Sequence, residues 1–129
     1  MNKILVEVSV GELLDKISIL EIKQEKIKDP KKLKFINEEH AILKDQLNQN
    51  VKSDDKLDTL FQALKEINAK LWVIEDDKRL CEKNSDFTEN FIKLSRDVHF
   101  FNDDRAKIKL KINNHTGSKI KEIKEYTSY

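Results

Sequence analysis

Residues 57–81 read LDTLFQALKEINAKLWVIEDDKRLC, and residues 91–115 read FIKLSRDVHFFNDDRAKIKLKINNH. In the first stretch Leu57, Leu60, Leu64, Ile67, Leu71, Ile74, Lys78 and Cys81 recur at alternating steps of three and four. In the second, Phe91, Leu94, Val98, Phe101, Arg105, Ile108, Ile112 and His115 do the same. That spacing marks one buried stripe of an α-helix. Two stripes close on each other antiparallel when paired positions share one constant total. Here the total is 172: Cys81 meets Phe91, Ile74 meets Val98, Leu71 meets Phe101, Ile67 meets Arg105 and Leu60 meets Ile112. Asn84-Ser85-Asp86 breaks the pattern between them, Asp86 and Glu89 have capping-box spacing, and Gly117 is placed for a left-handed C-terminal cap. Each helix should run roughly 30 residues, or about 45 Å.

The N-terminal half repeats the arrangement on a smaller scale. Val10, Leu13, Ile17, Leu20, Gln24 and Ile27 form one stripe; Leu33, Ile36, His40, Leu43 and Leu47 form the next. Their positions pair at a total of 60 across the turn at Asp29-Pro30, with Asp29 as N-cap and Pro30 in the first turn. Ser9 and Glu12 again have capping-box spacing. The polar run Asn48 to Asp55 reads as a loop, with Ser53 a candidate cap. Ahead of the first helix Ile4, Val6, Val8 and Val10 alternate with Leu5, Glu7 and Ser9, the period of a short strand that would have to pair with the C-terminal tail or a second chain.

The expected fold is therefore all-α: two antiparallel helical hairpins forming a coiled-coil-like bundle, with a short N-terminal extended strand. Residues 1–129 form one helical domain, with an arm at 1–9, a short hairpin at 10–50, a long hairpin at 54–116 and a tail at 118–129. Two glycines and one proline in 129 residues agree, because loop-rich and β-rich chains need turn residues at short intervals. The long hairpin must overhang the short one or be covered by another subunit. Leu14, Ile19, Ile22, Phe35, Ile42, Phe61 and Trp72 lie off the seams and are available to join the hairpins or to form a homodimer interface.

Charge excludes some partners. The chain has 25 basic and 24 acidic residues, interspersed, for a net charge of +1, so it shows no general nucleic-acid footprint. No apolar run approaches the ~18 residues of a membrane span, and no signal peptide is evident. The lone Cys81 can form no internal disulfide. These features lead us to expect a cytoplasmic protein.

Four polar residues interrupt the seams: Gln24, His40, Lys78 and Arg105. Polar seam positions commonly fix register. Arg105 stands apart, because it lies mid-helix, where a charge is costly unless paired. It belongs to a polar belt across the long hairpin, with Asn68, Glu75, Asp76, Asp77 and Arg79 on one helix and Arg96, Asn102, Asp103 and Asp104 on the other. The register sets Asp76 level with Arg96, and Asn68 level with Asp104. Salt-bridged surface is one reading. The other is a ligand site, in which Arg96, Arg105 and Arg79 bind a carboxylate or phosphate, Asn68 and Asn102 orient it, and Glu75, Asp76 or Asp103 acts as acid or base. No metal is expected: the residue three before His99 is Arg96, so the Glu-x-x-His pattern of di-iron bundles is missing, and only His99 and Asp103 have ligand spacing. No cofactor motif is present, and neither a glycine-rich phosphate loop nor a nucleophile elbow occurs.

The stretches Ile4–Lys16, Ile19–Lys23, Leu71-Trp72 with Ile74-Glu75-Asp76, Asn102-Asp103 with Arg105-Ala106, and Gly117-Ser118 resemble a family of short bacterial helical proteins catalogued only as a domain of unknown function. The resemblance spans nearly the whole chain and implies no activity, but it includes the belt residues of the long hairpin. The expected function is then an interaction or accessory module, with a ligand-binding or enzymatic bundle for a small anion as the alternative.

Overall fold

The computed structural model describes residues 3–129, and within them four helices: α1 (Val10–Lys26), α2 (Pro30–Asn50), α3 (Asp55–Lys83) and α4 (Glu89–Thr116). Both hairpins and their breaks fall where the sequence places them, except that the loop expected at Asn48 to Asp55 shortens to residues 51–54, because α2 runs on to Asn50 and α3 begins at Asp55. Their ends are set by capping groups. Ser9 Oγ accepts from the Glu12 amide at 3.0 Å, and Asp29 Oδ1 accepts from the Lys31 amide at 3.0 Å with Pro30 in the first turn. Gly117 closes α4 at φ 66, in the left-handed region that glycine adopts without penalty.

Two caps differ from expectation. Asp54 rather than Ser53 caps α3, accepting from the Leu57 amide at 2.7 Å, while the Ser53 hydroxyl donates to Asp58. A carboxylate facing three free amides and the positive end of the helix outcompetes a hydroxyl. Thr88 rather than Asp86 occupies the N-cap of α4, and Asp86 instead accepts from the Thr88 amide and hydroxyl.

The N-terminal strand is a correction. Among the described residues there is no strand; residues 3–9 carry no regular secondary structure, and Ile4, Leu5 and Val6 are largely exposed. Alternating apolar residues form a strand only where another backbone supplies the ladder hydrogen bonds, and among the described residues no such bond reaches residues 3–8. Residues 1 and 2 of the expected arm lie outside the described residues.

Both registers hold to within one residue. In the short hairpin Gln24 Nε2 donates to Asn37 Oδ1 at 2.9 Å, and His40 Nε2 lies 3.1 Å from Glu21 Oε2. In the long one Arg105 Nη1 donates to Asn68 Oδ1 at 3.3 Å, and the Lys70 ammonium sits 5.5 Å from the centre of the Phe101 ring. The hairpins do not stack lengthwise. The first turns of α1 bond to α4, through Gly11 to Asn113 and Glu12 to Lys109. The middle of α1 meets α3 through Asp15 and Ser18 at Asn68, and its end meets α3 through Glu21 and Glu25 at Lys65. Helix α1 therefore crosses the long hairpin obliquely, and α2 returns along its outer side.

At the crossing Leu14, Ile17, Leu57, Leu64 and Ile112 form the buried core, flanked by Leu43 and Leu47 of α2 and by Phe61. Leu14 and Ile22, off the seams, are fully buried, whereas Phe35 and Ile42 on α2 are exposed. The far part of α3 and α4 projects past α1, with Ile74 and Cys81 buried in its own seam. The tail runs back along α4, tied by Ser118 near Val10, Glu122 at Lys109 and Tyr129 at His99 and Asp103. Among the described residues no helix is long and apolar enough to cross a membrane.

Candidate functional site

The crossing of α1 over the long hairpin is polar as well as apolar. Gly11, Asp15, Ser18 and Ile22 step by four, three and four along α1, a second stripe beside the seam, and all four are buried. Gly11 lets the two backbones touch. A Cβ there would sit 2.7 Å from the Lys109 carbonyl oxygen, and the Gly11 amide donates to Asn113 Oδ1 at 2.7 Å. Lys109, on α4, bonds Glu12 at 2.8 Å and Glu122 at 3.1 Å, with Asp15 at 3.7 Å. Burial works against its charge. The bonds from Glu12 and Glu122 and the field of Asp15 outweigh burial and hold its pKa above the ordinary lysine value.

From Asp15 the network continues through α3. Asn68, 4% exposed, donates from Nδ2 to Asp15 Oδ1 and to Ser18 Oγ, both at 2.8 Å. Ser18 in turn donates to the Asp15 carbonyl at 2.8 Å. The Asp15 Oδ1 accepts from Asn68 Nδ2, which orients the Asn68 amide so that its Oδ1 accepts from Arg105 Nη1 at 3.3 Å. Asn68 thus braces Arg105 from inside the protein. Among the described residues Arg105 has no carboxylate within 4.0 Å.

Arg105 opens onto a cleft of about 310 Å³ beside the crossing, lined by Ile19, Asn68, Leu71, Trp72, Glu75, Asp76, Arg79 and Arg105. Five of the eight belt residues named from the sequence as site candidates therefore converge on one hollow: Asn68, Glu75, Asp76, Arg79 and Arg105. Three do not. Arg96 lies near the start of α4, its guanidinium 5.7 Å from the Phe100 ring centre, in a shallow groove with Glu89 and Asp97. Asp103 accepts from the Tyr129 hydroxyl, which holds the tyrosine pKa up. Asn102 is half-buried and lines no part of the cleft. Asp76 and Arg96, level in the register, form no ion pair: pairing needs both side chains on one side of the hairpin, and register sets height alone.

Sequence reasoning missed Gly11, Glu12, Asp15, Ser18, Lys109 and Asn113. The signal was present in the stripe of small and polar residues on α1 and in the same spacing of Ala106, Lys109 and Asn113 on α4. What such stripes touch is a property of the crossing.

A larger opening, about 750 Å³, lies at the other end, between the arm, the end of α2 and the close of α4. It holds His115, whose Nε2 lies 2.9 and 2.8 Å from the two carboxylate oxygens of Asp54. The Leu57 amide and then His115 hold the Asp54 carboxyl below its ordinary pKa. Both groups are thereby engaged at helix ends, Asp54 capping α3 and His115 in the last turn of α4. Among the described residues no three His, Cys, Asp or Glu side chains converge as metal ligands.

Fold and site together define an all-α, two-hairpin bundle with an arginine-lined cleft where its first helix crosses the second hairpin. The chain belongs to the family of unknown function DUF6165, whose model matches residues 4–129. No curated protein and no solved structure is detectably similar to it.

Proposed function

We propose that this protein is a binding module that holds a small anionic molecule in the α1–α3–α4 cleft. The observation that carries the reading is Arg105: a half-buried guanidinium on a helix seam, braced by Asn68, with no carboxylate partner among the described residues and facing a concave site. A seam arginine with no anion of its own is most economically explained by an anion that arrives. The guanidinium fork matches a carboxylate or phosphate in two parallel hydrogen bonds, and Arg79 supplies a second. The cleft lining contains no serine, cysteine or histidine, and the reading is one of binding alone. Glu75 and Asp76 are its only proton carriers.

The test is Arg105→Lys, which keeps the charge and removes the fork. Thermal shift of the wild type should rise across phosphate, sulfate and benzoate series, and the variant should lose most of that rise. An equal response in both proteins would remove bidentate recognition at this site.

A second reading, the interaction module, rests on α2. Phe35 and Ile42 lie one heptad apart on its outer face, 72% and 61% exposed. Paired with the same face of a second copy, they would form a homodimer seam. The lone thiol at Cys81, buried and free, fits a cytoplasmic setting for either role.

A further inference from the structure

We propose that the ligand of the cleft is a zwitterion with an apolar body, an aromatic or branched amino acid; this rests on the anion-binding reading above. The cleft carries both signs of charge, Arg79 and Arg105 with Glu75 and Asp76. Glu75 and Arg79 are four residues apart on α3, with the acid N-terminal, the orientation in which such pairs form most readily on a helix. Asp76 and Arg79 are three apart. Neither pair is closed: among the described residues no ion pair within 4.0 Å involves Glu75, Asp76, Arg79 or Arg105. Four charges thus stand around one hollow, two of each sign, with no partner taken.

Each simpler ligand leaves a mismatch. A plain anion on the arginines would face Glu75 and Asp76. A plain cation would face Arg79 and Arg105. A neutral apolar molecule would leave all four charges unanswered. A zwitterion answers both signs, its carboxylate at the guanidiniums and its ammonium at the acids. The remaining lining is apolar: Ile19, Leu71 and the Trp72 ring. That ring is half-buried, lines the cleft and has no aromatic or cationic partner among the described residues, so it can pack against a flat or branched side chain. The volume, about 310 Å³, lies at the lower end of small-molecule sites and suits a molecule of amino-acid size better than a nucleotide.

The experiment is a titration of the full chain by calorimetry and by ligand-observed NMR with four probes: L-phenylalanine, 3-phenylpropionate, phenethylamine and inorganic phosphate. Phenylalanine should bind about tenfold or more tightly than either phenylpropionate or phenethylamine, the worth of one added charge-assisted contact. In the double variant Glu75→Gln/Asp76→Asn, whose changes fall on exposed positions, that advantage should vanish while phenylpropionate binds more tightly, because a repulsion has been removed. Phenylpropionate equal to phenylalanine in the wild type would overturn the zwitterion and leave the anion reading standing. Phenethylamine as the tightest ligand, or no binding by any probe, would overturn both.

Discussion

Replacing Gly11 by alanine separates two arguments that predict opposite signs. Judged by local propensity, the change helps: Gly11 has no left-handed φ, and alanine in a helix gains about 0.5–1 kcal/mol over glycine, part of it from a stiffer unfolded chain. Judged by the crossing, it harms. The new methyl carbon would lie 2.7 Å from the Lys109 carbonyl oxygen and 3.2 Å from its carbon, where ordinary contact begins at 3.4 Å. That oxygen belongs to the backbone of the middle of a long helix and has no rotamer to change. The first turn of α1 must therefore lift by about 0.7 Å, the difference between 3.4 and 2.7 Å. The lift stretches two bonds of the crossing, from the Gly11 amide to Asn113 and from Lys109 to Glu12. Overpacking of this kind costs about 1–3 kcal/mol, and weakening a buried hydrogen bond adds about 1 kcal/mol. Subtracting the propensity gain leaves a net destabilisation of about 2 kcal/mol, or about 6–10 °C in Tm for a domain of this size. Circular dichroism melts and urea titrations of Gly11→Ala, with Lys16→Ala as an exposed control on the same helix, measure it. A Tm equal to or above the wild type would refute the close-packed crossing.

Asn68→Leu keeps the branched shape but removes the brace between Asp15 and Arg105; it should cost about 2–3 kcal/mol, through a buried carboxylate left short of a donor, and should weaken anion binding by isothermal titration. Wild-type affinity in a folded Asn68→Leu protein would show that Arg105 positions itself. Glu122 has its pKa held below 4.5, first by the hydrogen bond from Lys109, so it contributes stability above the ordinary carboxylate range and loses it as pH falls through the lowered value. Glu122→Gln should therefore be less stable than wild type at neutral pH, by less than about 1 kcal/mol because solvent screens the pair, and the two denaturation curves should converge below pH 4.5. A gap that stays constant into acid would rule that linkage out. Phe35→Lys/Ile42→Lys should leave the melting curve of the monomer nearly unchanged while abolishing any dimer in sedimentation; a dimer that survives both changes would clear α2 of that role.

The sequence by itself determined every helix, most boundaries to within a few residues, and both hairpin registers to within one. It could do so because helix period, caps and breaks are local, and because a tight turn ties two stripes into one pairing. It also singled out Arg105, since a charge on an apolar stripe is visible without coordinates. It could not place α1 across the long hairpin. Stripe spacing says which side of a helix is buried, never which other side it meets. The contacts that decide the crossing join residues far apart in the chain, such as Gly11 with Asn113 and Glu12 with Lys109. For the same reason eight polar candidates read as one belt. Register fixes height along the hairpin, while the side of the hairpin depends on where α1 lies. Tertiary structure sorted them, bringing Arg79 and Arg105 to one cleft and leaving Arg96 and Asp103 outside it. The N-terminal strand failed on the same ground, because a strand exists only when a partner backbone is within reach.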